Sequence, residues 1–270
     1  MRILNETQFK EISDYIRRNF GINLKSSDRH IFANKFDKFL NIIKANSFEE
    51  GYHRILNDRT GECVRIFLDI ITINHTFFMR EPEHFYYFRD EVLPYLKSTI
   101  KDNDLRIWCA ACSSGEEAYT IAMILDEFFM RDDSLWERQV LATDISCKVL
   151  NKAVRGVYSA KEIQDVMINW KINYFKKIDS NNFEVRKEIK DNIIYRRFNL
   201  MEEVFPFKKK FHVIFCRNVM MYFDKYTKKR LIKKFYDNTE KGGYLFIGHS
   251  EGIDIEDIGY KYVMPAVYRK

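Results

Sequence analysis

The chain has 270 residues, 46% of them hydrophobic and 16% aromatic, and a formal net charge of +6. That is enough apolar material for one large domain, or for a main domain with an appendage, and the mild basic excess points to an acidic partner. No uninterrupted apolar run reaches membrane-spanning length and the segment MRILNETQFKEISDYIRR is charged throughout, which argues against a spanning helix or a secretory signal and predicts a cytoplasmic protein.

Residues 1–72 read as helical. Phe9, Ile12, Ile16 and Phe20 follow helical spacing up to Gly21, and Phe32, Phe36, Phe39, Leu40 and Ile43 form a second stripe. Residues 48–69 add one or two further helices. Between Tyr15 and Lys44 stand seven Lys/Arg (Arg17, Arg18, Lys25, Arg29, Lys35, Lys38, Lys44) against Asp28 and Asp37, a local net of +5. Such a stretch is either a solvated face or a docking surface for an acidic partner.

Residues 73–104 read as a connecting segment plus a first helix of the next domain. In ITINHTFFMREPEHF (71–85), Thr72, Asn74 and Thr76 are hydrogen-bonding residues among Ile and Phe, and Pro82 suits the first turn of a helix. Arg80, between Phe77–Phe78 and that helix, either forms a buried ion pair or clamps a carboxylate. Lys97 to Asp104 reads as a linker.

From 105 to 270 strands and helices alternate. Leu105 to Trp108 is a short strand, Cys109 to Gly115 a turn of small residues, and Glu116–Glu117 open a helix through Met130. This is the first unit of a nucleotide-type α/β site, with the ligand over the carboxyl end of the strand. The turn has one glycine and no lysine, and two acids would repel a polyphosphate where the helix dipole should attract it. A cofactor with a positive centre and no phosphate, such as S-adenosylmethionine, fits better. Strand 139–143 ends at Asp144, placed either to bind ribose hydroxyls or to cap the helix at 146–153. Residues 159–166 read as helix, and 174–178 and 182–189 as a small inserted hairpin, about 170–192, turning at DSNN. The core resumes with strand 193–198, the strand HVIF (212–215), helix 226–239, strand 244–247 after Gly242–Gly243, and a terminal hairpin from 260–264 and 266–268. Seven strands with helices on both faces define the expected class: an α/β, Rossmann-like class I methyltransferase with an all-α N-terminal domain.

The motifs TINHTFFMRE (72–81), CAACSSGEEAYTIAM (109–123), LATDIS (141–146), FHVIFCRNVMMYFD (211–224) and GYLFIGHSE (243–251) then identify a resemblance. The chain resembles the bacterial chemotaxis receptor methyltransferases, which are S-adenosylmethionine-dependent protein-glutamate O-methyltransferases. The resemblance covers essentially the whole chain, and FCRNVMMYF followed by GHSE is its most specific part. It implies that Asn74, Thr76, Arg80, Glu117, Asp144, Asn199, Leu200, Arg217 and Asn218 bind the cofactor, with Asp144 on the ribose and Asn199–Leu200 beside the adenine. Arg80 and Tyr222 would face the reacting methyl group. The partner implied is the cytoplasmic helical domain of methyl-accepting receptors, met by the basic N-terminal helices, with no nucleic acid and no membrane insertion. Two departures stand out. Cys109 and Cys112 occupy positions where the family commonly has Ser or Ala, and the inserted hairpin is short and lacks glycines around DSNN. The second argues against tethering of a receptor tail peptide.

An ionised glutamate needs no general base, since its ordinary pKa is ~4.3; it needs to be held in line with the sulfonium–methyl bond and kept from water. A bidentate arginine is the natural clamp. Two other classes fit less well. A nucleic-acid methyltransferase of the exocyclic-amine type often carries [DNS]-P-P-[YFW] where this chain has Arg217-Asn218-Val219-Met220. A binding-only regulatory module would not be expected to keep Arg80, Glu117, Asp144, Asn218 and Tyr222 together. No metal site is expected. The five cysteines (Cys63, Cys109, Cys112, Cys147, Cys216) are scattered, CAAC lacks a second ligand pair for zinc, and His75 and His249 read as local packing or turn residues.

Overall fold

The computed structural model describes residues 4–130, 132, 135–252 and 258–270. The N-terminal part is helical: α1 (Glu6–Phe20), α2 (Arg29–Ile43), α3 (Phe48–Leu56) and α4 (Glu62–Ile71). Asn5 and Gln8 form a reciprocal capping box at the start of α1, and Gly21 ends it with φ +73°. The two predicted stripes meet in one aromatic core, where Phe39 lies 5.5 Å from Phe36 and 5.2 Å from Phe67, ring centre to ring centre.

Thr72 to Phe78 cross over without regular structure. Pro82 opens α5 (Pro82–Tyr87), which runs through a π-helical turn at Phe88–Val92 into α6 (Leu93–Thr99). Lys97 to Thr99 therefore end a helix, and the irregular connection is correspondingly shorter than the sequence predicts.

There follow β1 (Ile107–Ala110), α7 (Glu116–Phe129), β2 (Val140–Asp144) and α8 (Cys147–Arg155). The insertion holds β3 (Val157–Ser159), α9 (Ile168–Tyr174), β4 (Phe175–Lys177), β5 (Asn182–Val185) and α10 (Lys187–Lys190). The main sheet then continues with β6 (Ile193–Arg197), β7 (Phe211–Cys216), α11 (Lys225–Asp237), β8 (Thr239–Ile247), β9 (Lys261–Met264) and β10 (Val267–Arg269). Strand order is β6-β2-β1-β7-β8-β10-β9, parallel from β6 to β8, with β10 antiparallel to both neighbours. One apolar cluster packs beneath α5–α7 on one face, and another, centred on Trp108 and Phe235, lies beneath α11 on the other. Coverage of both faces is why β1 and β7 are buried at every position.

The insertion differs from the expected hairpin. Residues 159–166 form tight turns, because Ser159 N and Oγ both bond the Glu162 carboxylate and Val166 N reaches back only to Ile163 O. The strand predicted over 182–189 stops at Val185 and gives way to α10. Val157–Ser159 supplies a third strand, in the order β3-β5-β4, so the small sheet begins well before residue 170. Three residues of β3 are too few for an alternating pattern to register. Likewise β8 begins at Thr239 rather than 244. Gly242 and Gly243 lie inside it at a register shift, where a Cβ on Gly243 would stand 2.8 Å from the His212 carbonyl oxygen.

Candidate active site

The strand order reverses between β1 and β7, and a crevice at the carboxyl ends of the strands is the expected binding place. A cavity of about 450 Å³ opens there. Its walls are the turn after β1, the end of β2, residues 198–200 after β6, residues 217–223 after β7, the crossing segment 71–77 and the facing side of the helical part. All ten residues singled out from sequence line it: Asn74, Thr76, Arg80, Glu117, Asp144, Asn199, Leu200, Arg217, Asn218 and Tyr222.

The backbone around this cavity is unusual. Met79, Glu81, Ala111, Ser113 and Asn218 all have φ between 50° and 67° without being glycine. Such conformations cost roughly 1 kcal/mol or more each and persist where the surroundings over-determine them. The turn after β1 is held by Cys112 N bonding Thr143 O (2.8 Å) and Ser113 N bonding Asp144 Oδ2 (2.8 Å). Gly115 has φ +99°, and a Cβ there would stand 2.8 Å from Ala153 Cβ, so the turn closes only with glycine.

Asp144 receives Ser113 N on one oxygen and Ser146 N (3.0 Å) on the other, while Ser146 caps α8. Asp144 thus shapes both loops, and it also lines the cavity. Burial raises its carboxyl above the ordinary value, against the pull of these amide donors. Ser113 Oγ donates to Asn74 O (3.1 Å), fixing the crossing segment to the turn. Asn199 is tied to the helical part through Nδ2 to Asn19 O (2.8 Å).

The two arginines of the site differ in kind. Arg217 has a side chain only 1% exposed; its Nη1 bonds Glu117 Oε2 (2.7 Å), its Nη2 bonds Glu81 Oε2 (3.0 Å) and the Arg80 carbonyl, and it lies over the Phe85 ring. Burial opposes the charge on Glu81, but Asn218 and Arg217 outweigh it and hold the carboxyl below its ordinary value. Arg80 has no ion-pair partner among the described residues. Its Nη1 donates to His75 O (2.8 Å) and its guanidinium sits 5.7 Å from the Phe77 ring centre. The buried-ion-pair reading of Arg80 is thereby corrected: that pairing belongs to Arg217, and Arg80 lines the cavity with hydrogen-bond donors to spare. Tyr222 stands close enough for the Arg80 charge to favour its phenolate, although burial dominates and raises its pKa.

Two residues that sequence reasoning quoted but left without a role complete the site. Glu81 bonds Arg217 and, through Oε1, Asn218 Nδ2 (3.0 Å). Glu251, 1% exposed, accepts the backbone N–H of Asn218 (2.8 Å), Met221 (3.0 Å) and Gly248 (2.8 Å), binding the Arg217–Tyr222 loop to the turn after β8. Each is an acid at the end of an apolar motif, which is the signal that would have flagged it. Cys109 donates its thiol to Glu117 Oε1 (3.2 Å), and burial pushes both Cys109 and Cys112 thiols up, leaving them protonated.

Fold and site together define a class I methyltransferase. Glu117, at the start of α7, and Asp144, at the end of β2, face one cavity, the turn leading into α7 carries no lysine, and such a donor set fits a cationic adenosine derivative better than a polyphosphate. Residues 74–267 match the family described as "CheR methyltransferase, SAM binding domain". The chain is 38% identical to the chemotaxis protein methyltransferase of Borreliella burgdorferi, over 99% of this chain and 95% of that one. It is 32% identical to a probable chemotaxis protein methyltransferase of Rhizobium etli (93% and 97%) and 31% identical to the chemotaxis protein methyltransferase of Escherichia coli (92% and 85%). Among solved structures, the glycopeptide N-methyltransferase MtfA complexed with S-adenosylmethionine overlaps 59% of this chain and 53% of its own, at 14% identity and TM-score 0.34, which adds nothing to the strand order above. The chain belongs to the CheR methyltransferase family, and S-adenosylmethionine is its methyl donor. No helix among the described residues is long and apolar enough to cross a membrane.

Proposed function

We propose that the protein esterifies glutamate side chains on the cytoplasmic helices of chemotaxis receptors. The observation that carries this reading is Arg80, a guanidinium without an acidic partner among the described residues, at a cavity otherwise lined by Glu117 and Asp144. S-adenosylmethionine supplies an electrophilic methyl group on a sulfonium. In this reading Asp144 and the 111–113 turn hold the ribose, Asn199 and Leu200 flank the adenine, and Asn74, Thr76, Glu117, Arg217 and Asn218 complete the cradle. Arg80 orients the incoming carboxylate, and Tyr222 adds a hydrogen bond beside it. Asymmetric binding matters here. An arginine that gripped the carboxylate equally in ground and transition states would lower KM without raising kcat.

The mouth of the cavity supports a helical protein substrate. Ile31, Ile73, Phe77 and Met221 are exposed apolar side chains lining it, with Lys25 and Lys35 beside them. An amphipathic helix carrying acids matches both features. Lys35 is partly committed, since its Nζ donates to Ile71 O (2.7 Å). Lys25, Lys38 and Lys44 are exposed and available to an acidic surface.

The test is transfer of labelled methyl from S-adenosylmethionine to the cytoplasmic helical fragment of a chemoreceptor from the same organism. Base-labile label on the receptor, lost with Arg80→Ala, is the expected result. Cofactor binding without receptor labelling would overturn the substrate while leaving the fold and cofactor intact.

A further inference from the structure

Where α5 meets the turn after β8, Glu81, His84 and His249 bring one ligand-capable atom each to within 4.8 Å of one another. His84 is fully buried, and its Nε2 lies 3.2 Å from the Pro265 carbonyl oxygen. A carbonyl accepts only, so Nε2 carries the proton and Nδ1 carries the lone pair. Nδ1 has no hydrogen-bond partner. It sits 3.6 Å from Glu81 Oε2, which is an acceptor as well. Glu81 is half-buried and its Oε2 already accepts from Arg217 Nη2 and His249 N. The buried lone pair of His84 Nδ1 therefore faces a carboxylate and no donor, an unfavourable arrangement that a cation between them would reverse.

We propose that Glu81, His84 and His249 form a binding site for a divalent ion of the zinc class, bound to two imidazoles and one carboxylate with a fourth position open. Ligand atoms around a tetrahedral zinc at 2.0–2.1 Å stand about 3.3 Å apart, close to the Nδ1–Oε2 spacing of 3.6 Å. The remaining ligand is His249, whose exposed ring packs edge-on against that of His84, 4.6 Å between ring centres, and marks the entry path. Each inner ligand already has the outer partner such sites use: Pro265 O fixes the His84 tautomer, and Asn218 Nδ2 and Arg217 hold the Glu81 carboxylate. Arg217 does not leave the site positive, because Glu81 and Glu117 together exceed its charge by one. Nitrogen and carboxylate donors select zinc, cobalt, nickel or copper over magnesium or calcium. A bound ion would pin the 248–251 turn, and with it the Glu251-held loop of Asn218 and Met221, to the start of α5.

Cobalt(II) chloride added to the full-length protein is the direct probe, because tetrahedral coordination intensifies its visible absorption. One equivalent should give the tetrahedral spectrum, and zinc chloride should bleach it. His249→Ala should weaken binding at least about tenfold, while His53→Ala, at an exposed histidine of α3, should leave it unchanged. Zinc should also raise the melting temperature of the parent protein and not that of His249→Ala. Absence of the spectrum in the parent protein, or equal affinity in His249→Ala, would overturn the site.

Discussion

The two ends of the central sheet carry networks that look alike on paper and behave differently. At the carboxyl ends, Arg217 is enclosed by Glu117, Glu81 and Phe85, surrounded by left-handed non-glycine residues. At the amino ends, Arg106 pairs with Asp104 (2.6 Å) and Glu240 (3.0 Å), bonds Lys210 O and stands beside His212, with no left-handed residue nearer in sequence than Asn103. One network is desolvated and sets the shape of a cavity. The other is partly hydrated and ties strand starts together. The difference teaches that an arginine's consequence depends on how fully its partners have been removed from water.

The largest effect should come from Arg80→Ala, with kcat/KM for a receptor fragment falling about 10³-fold, near 4 kcal/mol, while the melting temperature holds. Retained activity would break the contrast between a free and a committed arginine in the cavity. Next, Arg217→Ala should cost about 3 kcal/mol of stability by stranding the half-buried carboxylates of Glu81 and Glu117, against about 1 kcal/mol for Arg106→Ala. Urea unfolding of both variants measures the gap, and equal losses would erase the distinction between the two ends.

His212 sharpens the account of the amino end. Burial, and then the Arg106 charge, pushes its pKa down to about 4 from an ordinary 6.5. The unfolded chain therefore binds the proton more readily, so this residue's contribution to stability falls as pH drops from about 6.5 towards 4. Between pH 7 and pH 5 the loss from this residue should be about 2 kcal/mol. His212→Asn should remove that share of the urea-unfolding profile, leaving the comparable share of His84, whose pKa burial also lowers to about 4. The smallest effect is expected from Tyr222→Phe, about tenfold in turnover with cofactor affinity unchanged, as one hydrogen bond near the reacting group is removed. A loss as large as that of Arg80→Ala would give Tyr222 the dominant role instead.

The fold was legible wherever a long element imposed its own period. The two phenylalanine stripes, the helix after Gly115 and the buried runs of β1 and β7 all lie where spacing places them, within a few residues. It was illegible where an element is shorter than its period, as at β3, or where local bonds compete with a helix, as between Ser159 and Glu162. The residues of the cavity were legible because motif resemblance links distant segments that local spacing cannot.

What the sequence alone determined is the class of fold and the kind of cofactor, because apolar periodicity and strand-turn-helix chemistry act over a few residues at a time, while the ten side chains of the cavity came from the motif resemblance. What only the tertiary structure decided is the partnering. Arg217 rather than Arg80 carries the buried charge, Glu251 gathers the loop amides, and His84 meets His249 across 165 positions of chain. The physical reason is that hydrogen bonds and ion pairs form between groups close in space, and only packing of the finished sheet and helices sets those distances.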